Sequence, residues 1–106
     1  MLQIEKRHFE ILQSILNKYP YYFYAYGSRV KGTARKFSDL DICYQENIPG
    51  SIVTKITWDL EESNLPFIVE LVNWKHMRPA FKNIIRKDLV LISSPYPESI
   101  EVSKRI

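Results

Sequence analysis

The stretch that decides the fold is YAYGSRVKGTARKFSDLDICY, Tyr24 to Tyr44. Aromatic residues run into Gly27-Ser28, a basic loop follows, and Asp39 and Asp41 then flank Leu40 inside an apolar segment. DLDICY alternates as a strand does, with Leu40, Ile42 and Tyr44 on one face and Asp39, Asp41 and Cys43 on the other. Two carboxylates two positions apart on a strand point the same way and repel. A hard divalent cation that also takes phosphate oxygens removes that conflict. Upstream, YYFYAY (Tyr21 to Tyr26) is aromatic enough to be a strand, and Gly27-Ser28 breaks it. Gly27 has no Cβ, so backbone can approach a ligand closely. Successive amides in a turn that opens a helix make an anion site. There the Ser28 hydroxyl can donate to a phosphate, and Arg29 and Lys31 add cationic donors.

Outward from this stretch, the chain reads as one small layer of helices on a sheet. Ile4, His8, Ile11, Leu12, Ile15 and Leu16 recur at spacings of three and four, predicting a helix over 4–18 that Asn17 and Pro20 end. A second helix is expected over 51–63, with Ile52, Val53, Ile56 and Leu60 inward, and FIVELV (67–72) as a strand. Pro79 opens a further helix over 79–87. Residues 89–92 form either a short strand or the end of that helix. The final stretch, 93–106, holds prolines, serines and charges and is expected to be an extended tail after a domain of residues 1–92. No internal repeat or low-complexity segment interrupts this order. The order of elements implies an α+β, two-layer domain with a small mixed sheet.

Glu70 is the second anomaly, an acid among Phe67, Ile68, Val69, Leu71 and Val72. If its strand lies beside that of Asp41, three carboxylates converge. They can hold two cations, or one cation with Glu70 as the base that takes a hydroxyl's proton. Each feature alone is ordinary: Gly-Ser is a turn, Asp-x-Asp a surface loop, Glu70 an edge residue facing water. Strand, Gly-Ser, basic loop, Asp-x-Asp strand, helix and acidic strand in succession point together to phosphoryl-type transfer, which needs positioning and charge neutralisation.

The totals agree. A chain of 106 residues, 45% hydrophobic and 25% charged, suits one soluble globular domain. Glu5, Lys6, Arg7 and Glu10 interrupt the opening segment, unlike a signal peptide, and no apolar run approaches the roughly 18 residues of a membrane span. The single cysteine, Cys43, fits a reducing, cytoplasmic setting and reads as a buried filler. The net charge of +3 is mild. The basic residues gather at Arg29, Lys31, Arg35 and Lys36, and no helix is expected to carry a basic stripe, which disfavours direct nucleic-acid binding. His8 reads as a packing residue, His76 as a weak candidate near a nucleotide, and the tyrosines as sheet and core.

The sequence resembles the minimal nucleotidyltransferases of the DNA polymerase β-like superfamily. GSRVKGTARKFSDLDI, Gly27 to Ile42, is similar to the family's Gly-Ser, ten residues, Asp-x-Asp signature, and it keeps Arg29 and Gly32 of the GSRxxG form. FIVELV stands where the family carries its third acid, with Glu70 in place of the more typical Asp. The resemblance covers roughly residues 4 to 90. It implies transfer of a nucleoside monophosphate from an NTP such as ATP to an acceptor hydroxyl, with Mg²⁺ as cofactor. It places the triphosphate on Gly27 and Ser28, and metal on Asp39, Asp41 and Glu70. Minimal members pair with an all-helical HEPN toxin and serve as its antitoxin, some by adenylylating a toxin tyrosine. Two other readings stand beside this one: an inactive antitoxin that neutralises its partner by binding alone, and a subunit of a small-molecule, aminoglycoside-type nucleotidyltransferase.

Overall fold

A computed structural model describes residues 2–96. Four strands form one mixed sheet in the order β3-β2-β1-β4. Strand β1 (Phe23–Tyr26) runs antiparallel to β2 (Leu40–Tyr44) and to β4 (Val90–Ser93), whereas β2 and β3 (Val69–Asn73) are parallel. A parallel pair needs a long crossover, and α3 (Gly50–Glu61) supplies it. The helix α1 (Lys6–Leu16) precedes the sheet, a short α2 (Ser28–Lys31) joins β1 to the basic loop, and α4 (Pro79–Ile85) lies between β3 and β4.

Alternation along the strands divides the sheet into two faces. Phe23, Ala25, Leu40 and Ile42 point to one face, where Leu12 and Leu16 of α1 and Ile56 and Leu60 of α3 bury them. This is the main core, and the two long helices share it on one side of the sheet. On the other face Tyr26 and Cys43 close against Ile85 of α4, with Trp74 and Met77 beside them. Cys43 is fully buried there, as its strand parity requires, and burial pushes its thiol up to about 12.

The structure shifts one expected boundary and decides another that the sequence left open. The first helix begins at Lys6, so Ile4 packs on the core from an extended lead-in. That lead-in is fixed by hydrogen bonds: the Gln3 amide donates to the Arg29 carbonyl at 2.6 Å, and its side-chain amide exchanges bonds with the Ala34 backbone. Residues 90–93 are a strand, not a helix end. The strand runs one residue past the expected domain limit, because Ser93 is buried with its hydroxyl donating to Asn17 at 2.7 Å. Residues 97–106, most of the expected tail, lie outside the described residues. The turn at Arg86–Asp88 continues from α4, which brings Lys82 and Arg86 four positions apart beside Trp74.

Candidate nucleotidyl-transfer site

The parallel register of β2 with β3 puts Glu70 directly beside Asp41. The antiparallel register of β1 with β2 puts Tyr26 directly opposite Asp41. All three side chains stand on the face away from the main core. Glu70 is exposed and Asp41 half-buried, so the pair sits where the sheet edge opens to solvent. Asp39 lies one residue before β2 begins and is exposed. Its strand starts where the Leu40 amide donates to the Ile68 carbonyl at 2.9 Å.

Proximity shows in the electrostatics. Burial is the largest cause that raises Asp41, followed by the charge of Glu70, hydrogen bonding with Glu70 and the charge of Asp39, and together they bring it to about 6. Burial first, then Asp41, Cys43 and Glu70, also hold the Tyr26 phenol above its ordinary range. The crowding of carboxylates expected at Asp39 and Asp41 thus falls mainly between Asp41 and Glu70, which the strand register sets side by side.

Gly27 completes the site. Its φ of 85° with ψ of −154° lies in a region that is essentially glycine's alone. A Cβ there would stand 2.5 Å from Asp41 Oδ2. The backbone bend at Gly27 thus lies against the Asp41 carboxylate, and only the missing side chain makes the approach possible. The turn then tightens at once: the amides of Val30 and Lys31 both donate to the Gly27 carbonyl at 3.1 Å, and Gly32, at φ 75°, ends the helical turn. Ser28 opens this turn, and Lys31 is exposed at its end.

Arg29 does something other than the sequence suggests. It is 5% exposed, and its guanidinium donates to the carbonyls of Ser38, Gln3 and Lys36 at 2.8 to 3.4 Å. It also stacks 4.1 Å from the Phe67 ring centroid. Its donors are engaged by backbone, so the side chain ties the loop before Asp39 to the N-terminal lead-in. Burial lowers its pKa and the charge of Asp39 works against that. Tyr26 is the residue that sequence reasoning grouped with the core and the structure places at the site. Its parity, opposite to that of Phe23 and Ala25, is the signal that could have found it.

The donor set suits a hard divalent cation, since it offers carboxylate oxygens crowded enough to gain from one. Among the described residues no three histidine, cysteine or acidic side chains converge into a ready cage. The register pairs Asp41 with Glu70, and Asp39, whose charge also acts on Asp41, stands one residue before the strand. Two open grooves lie along the basic loop. One, of about 710 Å³, runs between Arg7, His8, Arg35 and Phe67. The second, of about 590 Å³, reaches Asp39 beside Glu61 and Ile68.

The comparisons with known proteins bear directly on this geometry. The sequence pattern described as "Polymerase beta, Nucleotidyltransferase" matches residues 10–96. The chain belongs to the polymerase β nucleotidyltransferase family. It is also 36% identical over 95 residues to the "Probable protein adenylyltransferase MntA" of Haemophilus influenzae (strain ATCC 51907 / DSM 11121 / KW20 / Rd), covering 86% of this chain and 83% of the relative. The four-stranded mixed sheet with its helices is the fold such a nucleotidyltransferase is expected to have, and the chain is a minimal member of the family. It is an enzyme of the nucleotidyltransferase class.

Proposed function

We propose that this nucleotidyltransferase moves AMP from ATP to a hydroxyl of a partner protein, a tyrosine of a HEPN-type toxin, and so acts as an antitoxin. The observation that carries the reading is the register that sets Asp41 beside Glu70, under the Cβ-less bend of Gly27. The relative named a protein adenylyltransferase supports a protein as acceptor.

In this reading Ser28 and the amides that open α2 bind the triphosphate, with Lys31 as an exposed cation at the end of the turn. Asp41 and Asp39 would hold Mg²⁺, and Glu70 would share it or act as base. The bound cation supplies charge neutralisation for the triphosphate and the incoming oxygen. The acceptor oxygen forms a bond to the α-phosphorus, the bond from that phosphorus to the bridging oxygen breaks, and pyrophosphate leaves. The hydroxyl proton passes to Glu70, which is exposed and so open to the acceptor. Arg29 acts as a positioning residue that holds the loop carrying Asp39.

Intact-mass spectrometry tests the proposal. The chain is mixed with a HEPN-type protein, ATP and Mg²⁺. AMP units added to the partner by wild type, and none by Asp39→Asn/Asp41→Asn, is the expected result. No addition, with both versions still forming the complex, would instead favour neutralisation by binding alone.

A further inference from the structure

We propose that the outer face of α4 is the docking surface for the acceptor protein, and that it takes a segment in which apolar side chains alternate with Asp or Glu. The proposal rests on the reading of the site as one that modifies a protein. Ile85 turns inward against Tyr26 and Cys43. On one flank of it Phe81 and Ile84 remain 42% and 54% exposed. On the other flank Lys82 and Arg86, four positions apart, are neighbours on the helix surface. Lys82 Nζ and the Arg86 guanidinium stand 5.7 and 5.8 Å from the Trp74 ring centroid, within cation–π reach, so their charges are held on the surface. Lys87 adds a further cation, and Asp88 is the one acid between Arg78 and Asp88. The helix thus offers cations on one flank for carboxylates and two apolar anchors on the other.

Its location gives the face a purpose. The Phe81 ring meets the Tyr26 ring edge-on at 6.0 Å, and Tyr26 is the direct cross-strand partner of Asp41. One side chain therefore separates the anchors from the reacting carboxylates, and a hydroxyl on a docked segment is delivered to them. Nucleic acid would satisfy the cations but not Ile84, which offers no stacking platform for a base. Among the described residues the other exposed large apolar side chains, Phe37, Trp58, Ile68 and Tyr96, lie outside α4.

The test uses the full chain and three fluorescent probes: a peptide with one tyrosine among Leu and Glu residues, its counterpart with Gln for every Glu, and a single-stranded oligonucleotide. Anisotropy titrations compare wild type with Lys82→Glu/Arg86→Glu and with Phe81→Ser/Ile84→Ser, and circular dichroism checks that each is folded. The acidic peptide is expected to bind wild type at least about tenfold more tightly than the Gln peptide, and both variants to lose about tenfold, with ATP binding unchanged. Equal binding to the charge-reversed variant, absence of peptide binding, preference for the oligonucleotide, or a wild-type dimer that the variants dissociate would each overturn it. Transfer from labelled ATP to the peptide is read separately. Docking without transfer by wild type would sink the protein-modification reading and leave the docking face standing. Transfer with no loss on charge reversal would do the opposite.

Discussion

At the scale of the residue, Gly27 and Asp41 form a unit in which each limits the other. Gly27→Ala would place a methyl 2.5 Å from Asp41 Oδ2 on a backbone at φ 85°. The carboxylate must rotate away, so transfer activity is expected to fall at least about a hundredfold, with about 1–3 kcal/mol of stability lost to backbone strain. Asp41 itself carries the opposite trade. Its folded pKa of about 6 stands above the ordinary 3.8 of an aspartate, so the unfolded chain gives up this proton more readily. The ionised group therefore opposes folding, and stability falls as pH rises from the ordinary carboxylate range to about 6. Asp41→Asn in EDTA should be more stable at neutral pH by about 1 kcal/mol, after discounting for solvent screening, and should lack that pH dependence. Urea melts of the inactive variant at several pH values check this; equal or lower stability would contradict it. The residue types of this unit were all legible in the sequence. The conflict of like charges was legible as well, but its main partner depended on a strand register that no spacing along the chain records.

At the scale of the element, the basic loop shows what sequence reads and what it misses. Arg29 looked like a ligand donor because arginines in Gly-rich turns often bind phosphate, yet its neighbours in space are carbonyls of Gln3, Lys36 and Ser38. Those contacts are distant in the chain or depend on a loop's path, so composition cannot disclose them. Arg29→Lys cannot reproduce a planar fork that reaches several acceptors and stacks on Phe67. It should cost about 2–4 kcal/mol and reduce transfer through a displaced Asp39, visible as a lower melting temperature and a lower kcat. Wild-type kcat in Arg29→Lys would show that the loop is held by other means. The junction of α1 and α3 gives a second prediction. The Tyr19 hydroxyl donates to Asp59, which also meets Lys18 Nζ at 3.3 Å. The Tyr19 hydrogen bond, foremost, and Lys18 hold Asp59 below the usual carboxylate range. Its stabilisation is full above that range and is lost as pH falls through the depressed value. Burial and Asp59 raise Tyr19 from 10.0 to about 12, so its contribution is full below pH 10 and is lost as pH rises toward 12. Tyr19→Phe should cost about 1 kcal/mol near neutrality and flatten both limbs, as denaturation at about pH 3, 7 and 11 would reveal.

At the scale of the whole molecule, the sheet separates stability from chemistry. Strand alternation made this legible: Leu40, Ile42 and Tyr44 were assigned to one face and Asp41 and Cys43 to the other before any contact was known. The periodic helices were legible for the same reason, whereas β4 was ambiguous because a short apolar run carries no period of its own. What local pattern could not give was the position of α4 beside the site, since it depends on how the chain returns over the sheet. The separation of faces has a measurable consequence. Leu16 of α1 is fully buried in the core formed with Phe23, Ile42 and Ile56, on the side of the sheet away from Asp41 and Glu70. Leu16→Ala should lose about 3–5 kcal/mol by transfer and cavity terms, a large share of the 5–15 kcal/mol that holds a domain together. Below its lowered melting temperature the folded fraction should keep the wild-type KM for ATP, because β1 and β2 still present Gly27 and Asp41 in the same register. A KM that rises in proportion to the lost stability would mean that the sheet transmits core relaxation to the site, and that its two faces work as one.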